Sequence, residues 1–81
     1  MSEQPDLYDL TGLKCPLPVL KTRNRMRTMA EGEQLWVRTT DPLSVIDMPH
    51  FCTENGHTLL QTVDEENGHR FLIQHGGQQD G

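Results

Sequence analysis

Residues 9–23 read DLTGLKCPLPVLKTR, a cysteine set directly before two prolines and a run of bases. Proline is tolerated in a helix only in its first turn, where backbone N–H groups have no intrahelical partner. Pro16 and Pro18 therefore mark a helix start and place Cys15 at its N-cap. Ser, Thr, Asp or Asn ordinarily occupies that position and accepts the orphan N–H bonds, and a thiol is a poor substitute. A cap given up for sulfur points to sulfur chemistry. The helix N-terminus carries about half a positive charge and Lys14 adds charge nearby, so Cys15 is expected to titrate below the ~8.5 of free cysteine. The prolines stiffen the loop and keep the sulfur exposed. No base with triad geometry is recognisable, which suits a thiol whose reaction partners supply the catalytic groups.

The other residues with chemical potential read as structural. Cys52 falls on an apolar stripe beside Phe51, which predicts core packing rather than a resolving thiol. His50, His57, His69 and His75 are scattered over expected surface and strand ends, and neither CxxC nor a Cys/His metal spacing occurs, so no metal is expected. Asp41, before Pro42, is most simply a helix N-cap, and its second reading is a group that shapes the thiol pocket.

Positioning such a thiol takes few elements. Leu7 to Leu10 reads as a short strand ending at Gly12, and 16–30 as a helix stopped by Gly32, with Val19, Met26, Met29 and Ala30 as its inner stripe. QLWVRTT (34–40) is β-rich, and Asp41-Pro42 opens a second helix that stops before Asn55-Gly56. Val45, Met48 and Cys52 share a face of that helix, and Pro49 is expected to kink it or split it into two turns. Residues 57–63 and 69–75 form a hairpin around a Gly-containing loop. The order β-α-β-α-β-β, with a right-handed crossover, gives a two-layer α/β sandwich: a four-stranded mixed sheet carrying two helices on one face. Loops following parallel strands open at one edge, so Gly12 to Cys15 should face Thr39 to Asp41. Residues 7–75 make one domain, with flexible ends expected at 1–6 and 76–81.

Composition sets the surroundings. At 81 residues the chain forms one small core without a deep substrate cleft. With 33% hydrophobic residues and no apolar run of membrane-span length, it is expected in the cytoplasm, with no membrane partner and with reduced thiols. The net charge of -5 is segregated: five of the seven Lys and Arg residues are Lys14, Lys21, Arg23, Arg25 and Arg27, while nine of the twelve acids follow residue 30. The acidic whole disfavours direct DNA binding. Helical geometry spreads Lys21, Arg23, Arg25 and Arg27 over the outer half of the first helix, where an acidic partner could grip them.

LTGLKCPLPVLKTR, TDPLSVIDMPHFC and GHTLL…RFLIQHGG, in that order and spacing, resemble the TusA/SirA family of small sulfur-carrier proteins across essentially residues 7–77. The Cys-Pro-x-Pro motif is the specific part, and Thr11 departs from the Arg or Gly that many members carry. The resemblance implies that Cys15 carries a persulfide received from a cysteine desulfurase or rhodanese-like donor. An acceptor protein in tRNA thiolation, molybdenum-cofactor synthesis or sulfur oxidation then takes it, and no cofactor is needed beyond the covalent sulfur.

Other functions have weaker support. A redox enzyme or peroxidase needs a resolving cysteine, and Cys52 is placed in the core. A regulatory or RNA-binding module using the basic first helix lacks interleaved surface aromatics, since Tyr8, Trp36, Phe51 and Phe71 mostly read as core. A thiocarboxylate carrier needs a terminal Gly-Gly, and four residues follow Gly76-Gly77.

Overall fold

Strand β1 (Asp6–Asp9) runs parallel to β2 (Gln34–Thr39), with Leu7 opposite Trp36 and Asp9 opposite Arg38. A parallel pair requires a crossover, which helix α1 (Leu17–Met26) provides in this computed structural model describing residues 5–77. Helix α2 (Ser44–Asn55) leads into the antiparallel hairpin of β3 (Thr58–Glu65) and β4 (Gly68–Gln74). Because β4 pairs with β2, the sheet order is β1-β2-β4-β3. The element order, the mixed sheet and the two-layer sandwich are those expected. Of the expected flexible ends, 1–4 and 78–81 lie outside the described residues.

The core follows from strand alternation. Leu35 and Val37 on β2 and Phe71 and Ile73 on β4 are buried, while Trp36, Arg38 and Leu72 between them are half-exposed on the sheet's other face. Met26, Met48, Phe51 and Cys52 meet the buried face from the helices. Each large apolar side chain so covered stabilises the fold by roughly 1.5–3 kcal/mol.

The helices differ from expectation in detail. Helix α1 stops at Met26 instead of reaching residue 30, because Thr28 turns its hydroxyl onto the Arg25 carbonyl at 2.9 Å and competes for the last turn. Its inner row is Pro18, Thr22 and Met26, flanked by Val19 and Met29, while Ala30 is exposed. Thr22 is tolerated there because its Oγ1 donates to the Pro18 carbonyl at 2.8 Å. Helix α2 begins at Ser44, not at Pro42, after a turn in which the Ser44 N–H donates to the Asp41 carbonyl at 3.0 Å. It runs unbroken through Pro49: the carbonyl that proline leaves unpaired belongs to Val45, an exposed residue where water can reach. Its buried face is Ser44, Met48, Phe51 and Cys52, so Val45 leaves the expected stripe. Gly56, at φ 74°, ends the helix where Asn55-Gly56 marked the stop.

The aromatic and histidine placements also shift. Trp36 lies under the Arg70 guanidinium at 4.3 Å on the sheet's other face, while Phe51 and Phe71 are buried and Tyr8, under the Arg25 guanidinium at 5.1 Å, packs half-buried against the core. His75 is buried, not solvated, with its ring 4.6 Å from that of His57. The Gly76 N–H donates to His57 Nδ1 at 3.0 Å and the Gly77 N–H to His75 Nδ1 at 2.9 Å, so hydrogen bonding continues into the expected tail. Among the described residues no helix is long and apolar enough to cross a membrane.

Candidate functional site

The β1–α1 and β2–α2 loops meet at one edge of the sheet, as the parallel pair requires. Gly12, at φ 90°, forms the bend of a turn closed by the Leu13 N–H on the Leu10 carbonyl at 3.2 Å, a backbone state that favours glycine. The Gly12 N–H then donates to Thr40 Oγ1 at 2.9 Å, and the Cys15 N–H donates to Asp41 Oδ2 at 2.6 Å. The other Asp41 oxygen accepts the Leu43 N–H at 3.2 Å. One carboxylate thus straps the cysteine loop to the entry of α2, and a charged acceptor makes each such bond stronger than a neutral pair.

Cys15 is exposed, and the peptide bond to Pro16 is cis. It is not the N-cap of α1: Pro16 holds that position, without a side-chain cap. The sulfur therefore stands beyond the helix end rather than on it. Its thiol is pushed above the ordinary range, opposite to expectation. The nearby Asp47 carboxylate favours the protonated thiol, partial desolvation adds to this, and the charges of Asp47 and Asp41 oppose the anion. Lys14, exposed in the adjacent position, does not outweigh them. In sequence Asp47 reads as a favourable acid in the first turn of α2. Only the packing of α2 beside α1 brings it to the sulfur.

A groove of about 420 Å³ separates the two helices, with Cys15, Val19 and Arg23 on one wall and Asp47, His50 and Phe51 on the other. Leu20 lines it as well. Of the seven exposed large hydrophobics among the described residues, Leu17 and Leu20 lie on α1 and Leu43, Val45 and Ile46 lie at the start of α2. Exposed apolar surface so concentrated beside the cysteine loop is a usual mark of a contact surface.

Residues 7–75 match the family model described as sulfurtransferase TusA. The chain belongs to the TusA family. Over 70 residues it is 37% identical to two proteins of Neisseria meningitidis, one from a serogroup A strain and one from a serogroup B strain, each named as a candidate sulfur carrier protein. The alignments cover 86% of this chain and 95% of each relative.

The other residues expected at the site of this TusA-family chain fall into separate groups. Pro16 is exposed in the loop, whereas Pro18 is buried in the inner row of α1. Lys21 and Arg27 are exposed, and Arg23 lines the groove. Arg25 leaves the basic stripe: it pairs with Asp6 at 3.1 Å and lies over Tyr8, tying the helix to β1. Cys52 is buried beside Phe51 as expected, and burial pushes its thiol up to about 11.

Proposed function

We propose that this protein accepts sulfane sulfur on Cys15 as a persulfide and relays it to an acceptor protein. The observation that carries this reading is the contrast between the two thiols: Cys15 is exposed on a strapped loop at the mouth of a groove, and Cys52 is sealed in the core. A thiol with no second thiol beside it favours passing sulfur to a partner over forming an internal disulfide. The donor is a cysteine desulfurase or rhodanese-like protein, and the acceptor a protein of tRNA thiolation, molybdenum-cofactor synthesis or sulfur oxidation. The sulfur is cargo, so no resident cofactor is required, and the reducing cytoplasm suits the exposed thiol.

Docking uses the aliphatic rim of Leu17, Leu20, Leu43 and Ile46, with Lys21, Arg23 and Arg27 steering an acidic partner. An RNA-binding reading of the basic helix is weakened because Arg25 is engaged with Asp6 and Tyr8. Incubation with a cysteine desulfurase and cysteine, followed by intact mass, tests the reading. Wild type and Cys52→Ala should each gain one sulfur, about 32 Da, and Cys15→Ser none. Sulfur retained by Cys15→Ser overturns the assignment.

A further inference from the structure

The groove and its rim occupy one side of the molecule, and the other side carries an apolar surface of its own. Both helices cover the sheet face that holds Leu35, Val37, Phe71 and Ile73. Of the seven exposed large hydrophobics among the described residues, Leu7 and Leu60 are the two that lie on strands. The strand registers set Leu7 beside Trp36 and Trp36 beside Leu72, and at the β3 bulge Leu60 and Gln61 together stand against Leu72. An apolar row thus crosses the open face of the sheet, with Leu7 45% and Leu60 44% exposed at its ends and Trp36 and Leu72 half-exposed between them. Polar groups frame the row. On one side the Gln34 amide reaches that of Gln74 across β2 and β4. On the other, Glu65 lies 2.9 Å from Arg38 Nε and 3.2 Å from Arg70 Nε, and the Arg70 guanidinium sits over the Trp36 ring. An apolar centre anchored by tryptophan, with arginine in its polar rim, is the usual composition of a protein contact.

Charge and shape point to what covers this face. Asp9 pairs in register with Arg38, so the strands bring two acids, Asp9 and Glu65, and two bases, Arg38 and Arg70, to the same surface. That balance lets a second copy approach without net repulsion, although the whole chain carries -5. Both arginines already have a carboxylate, so covering them strands no unpaired charge. The molecule measures 31 × 30 × 17 Å, with its two layers stacked along the short dimension. An ellipse of 31 × 30 Å spans roughly 700 Å², near the ~800 Å² that each partner gives to a standard interface. Pairing through the sheet edges is less suited: β1 has four residues and follows Pro5, and β3 is bulged, both features that blunt an edge. We infer that the open sheet face is a homodimer interface, in which two copies stack these faces into a four-layer α/β/β/α sandwich and leave both Cys15 grooves on the outside.

Sedimentation velocity of the full chain from micromolar to near-millimolar concentration tests this, with acrylamide quenching of Trp36, the chain's single tryptophan, read on the same samples. Mass should rise from monomer to dimer as concentration increases, and quenching should fall with it. Trp36→Ala should weaken association by roughly 30-fold, the lower bound for a central aromatic anchor. Leu7→Lys/Leu60→Lys, at two exposed positions, should also return the protein to monomer, and it decides the matter if Trp36→Ala fails to fold by circular dichroism. Ile46→Asp, on the helix side, should leave the dimer unchanged. Dimers that Ile46→Asp weakens and the sheet variants do not would place the contact on the helices and overturn the proposal. A monomer at every concentration overturns it as well: a freely quenched Trp36 then leaves the face to a different protein, and a shielded one shows another part of the same chain lying on it. Iodoacetamide should alkylate Cys15 equally fast in monomer and dimer, and slower reaction in the dimer would contradict the outward placement of the grooves.

Discussion

Gly68→Ala, at the start of β4 and remote from Cys15 in sequence, should both destabilise the fold and loosen the cysteine loop. A Cβ at Gly68 would stand 2.0 Å from the Thr39 carbonyl oxygen and 2.8 Å from the Thr40 Cα, and both are backbone atoms that no rotamer change can withdraw. The hairpin and the end of β2 must separate by about 1 Å or more. Overpacking of this kind costs about 1–3 kcal/mol, and a backbone clash belongs at the upper end. For a domain of this size each kcal/mol lowers the thermal midpoint by about 4–8 °C, so a fall of roughly 10–20 °C is expected. Thr40 and Asp41 follow directly and hold Gly12 and Cys15, so displacing them should move Cys15 alkylation toward that of an unfolded cysteine. Gly12→Ala is the contrasting control: nothing lies within 4 Å of its Cβ position, and only the positive φ of 90° is strained, at about 1–2 kcal/mol. Thermal unfolding by circular dichroism reads the first effect and iodoacetamide kinetics the second. A Gly68→Ala midpoint within about 2 °C of wild type would refute the idea that the end of β2 is held rigidly against the hairpin.

Three further outcomes are expected. The alkylation rate of Cys15 should inflect at a higher pH than that of an unfolded control peptide, because Asp47 and Asp41 favour the protonated thiol; an inflection at or below the control contradicts this electrostatic account. Burial raises Cys52 to about 11, so the stability from keeping it neutral is complete below the unfolded thiol value and is lost as pH rises toward 11. Urea unfolding of Cys52→Ala should therefore depend less on pH above ~8.5 while costing ~1–2 kcal/mol at neutral pH, and equal alkaline slopes would refute it. Reversing Arg23 and Arg27 to Glu should slow protein-to-protein sulfur transfer at low salt and leave alkylation of Cys15 little changed, while Arg25→Glu should lower stability through its lost contacts with Asp6 and Tyr8. Matching transfer rates for the Arg23/Arg27 variant and wild type across a salt series would move docking to another surface.

Much of the fold was legible because its signals are local. Alternation in 34–40 and 69–75, Asn55-Gly56 as a helix stop, and the prolines after Cys15 each act within a few residues, and parallel-strand geometry then brings Gly12 and Cys15 to Thr40 and Asp41. The misses arose where a polar residue did a core job or where distant segments met. Thr22 interrupts the apolar stripe of α1 yet is buried, because it satisfies its hydroxyl within its own helix. Asp47 carries no signal of its own in the sequence, and nothing near it announces a thiol thirty-two positions earlier. Arg25 belonged to a run of bases until the packing of α1 on β1 gave it Asp6 and Tyr8. The sign of the Cys15 shift depended on those tertiary neighbours rather than on the helix end two residues away.

The central claim is that sulfur arrives at Cys15 and leaves again for a partner thiol. Loading the protein with ³⁵S from a cysteine desulfurase, removing the donor, and offering a reduced thiol acceptor tests both halves in one measurement. The account predicts label on wild type and Cys52→Ala, none on Cys15→Ser, and its passage to the acceptor on mixing. Label that stays on wild type after mixing, or that loads onto Cys15→Ser, would contradict it.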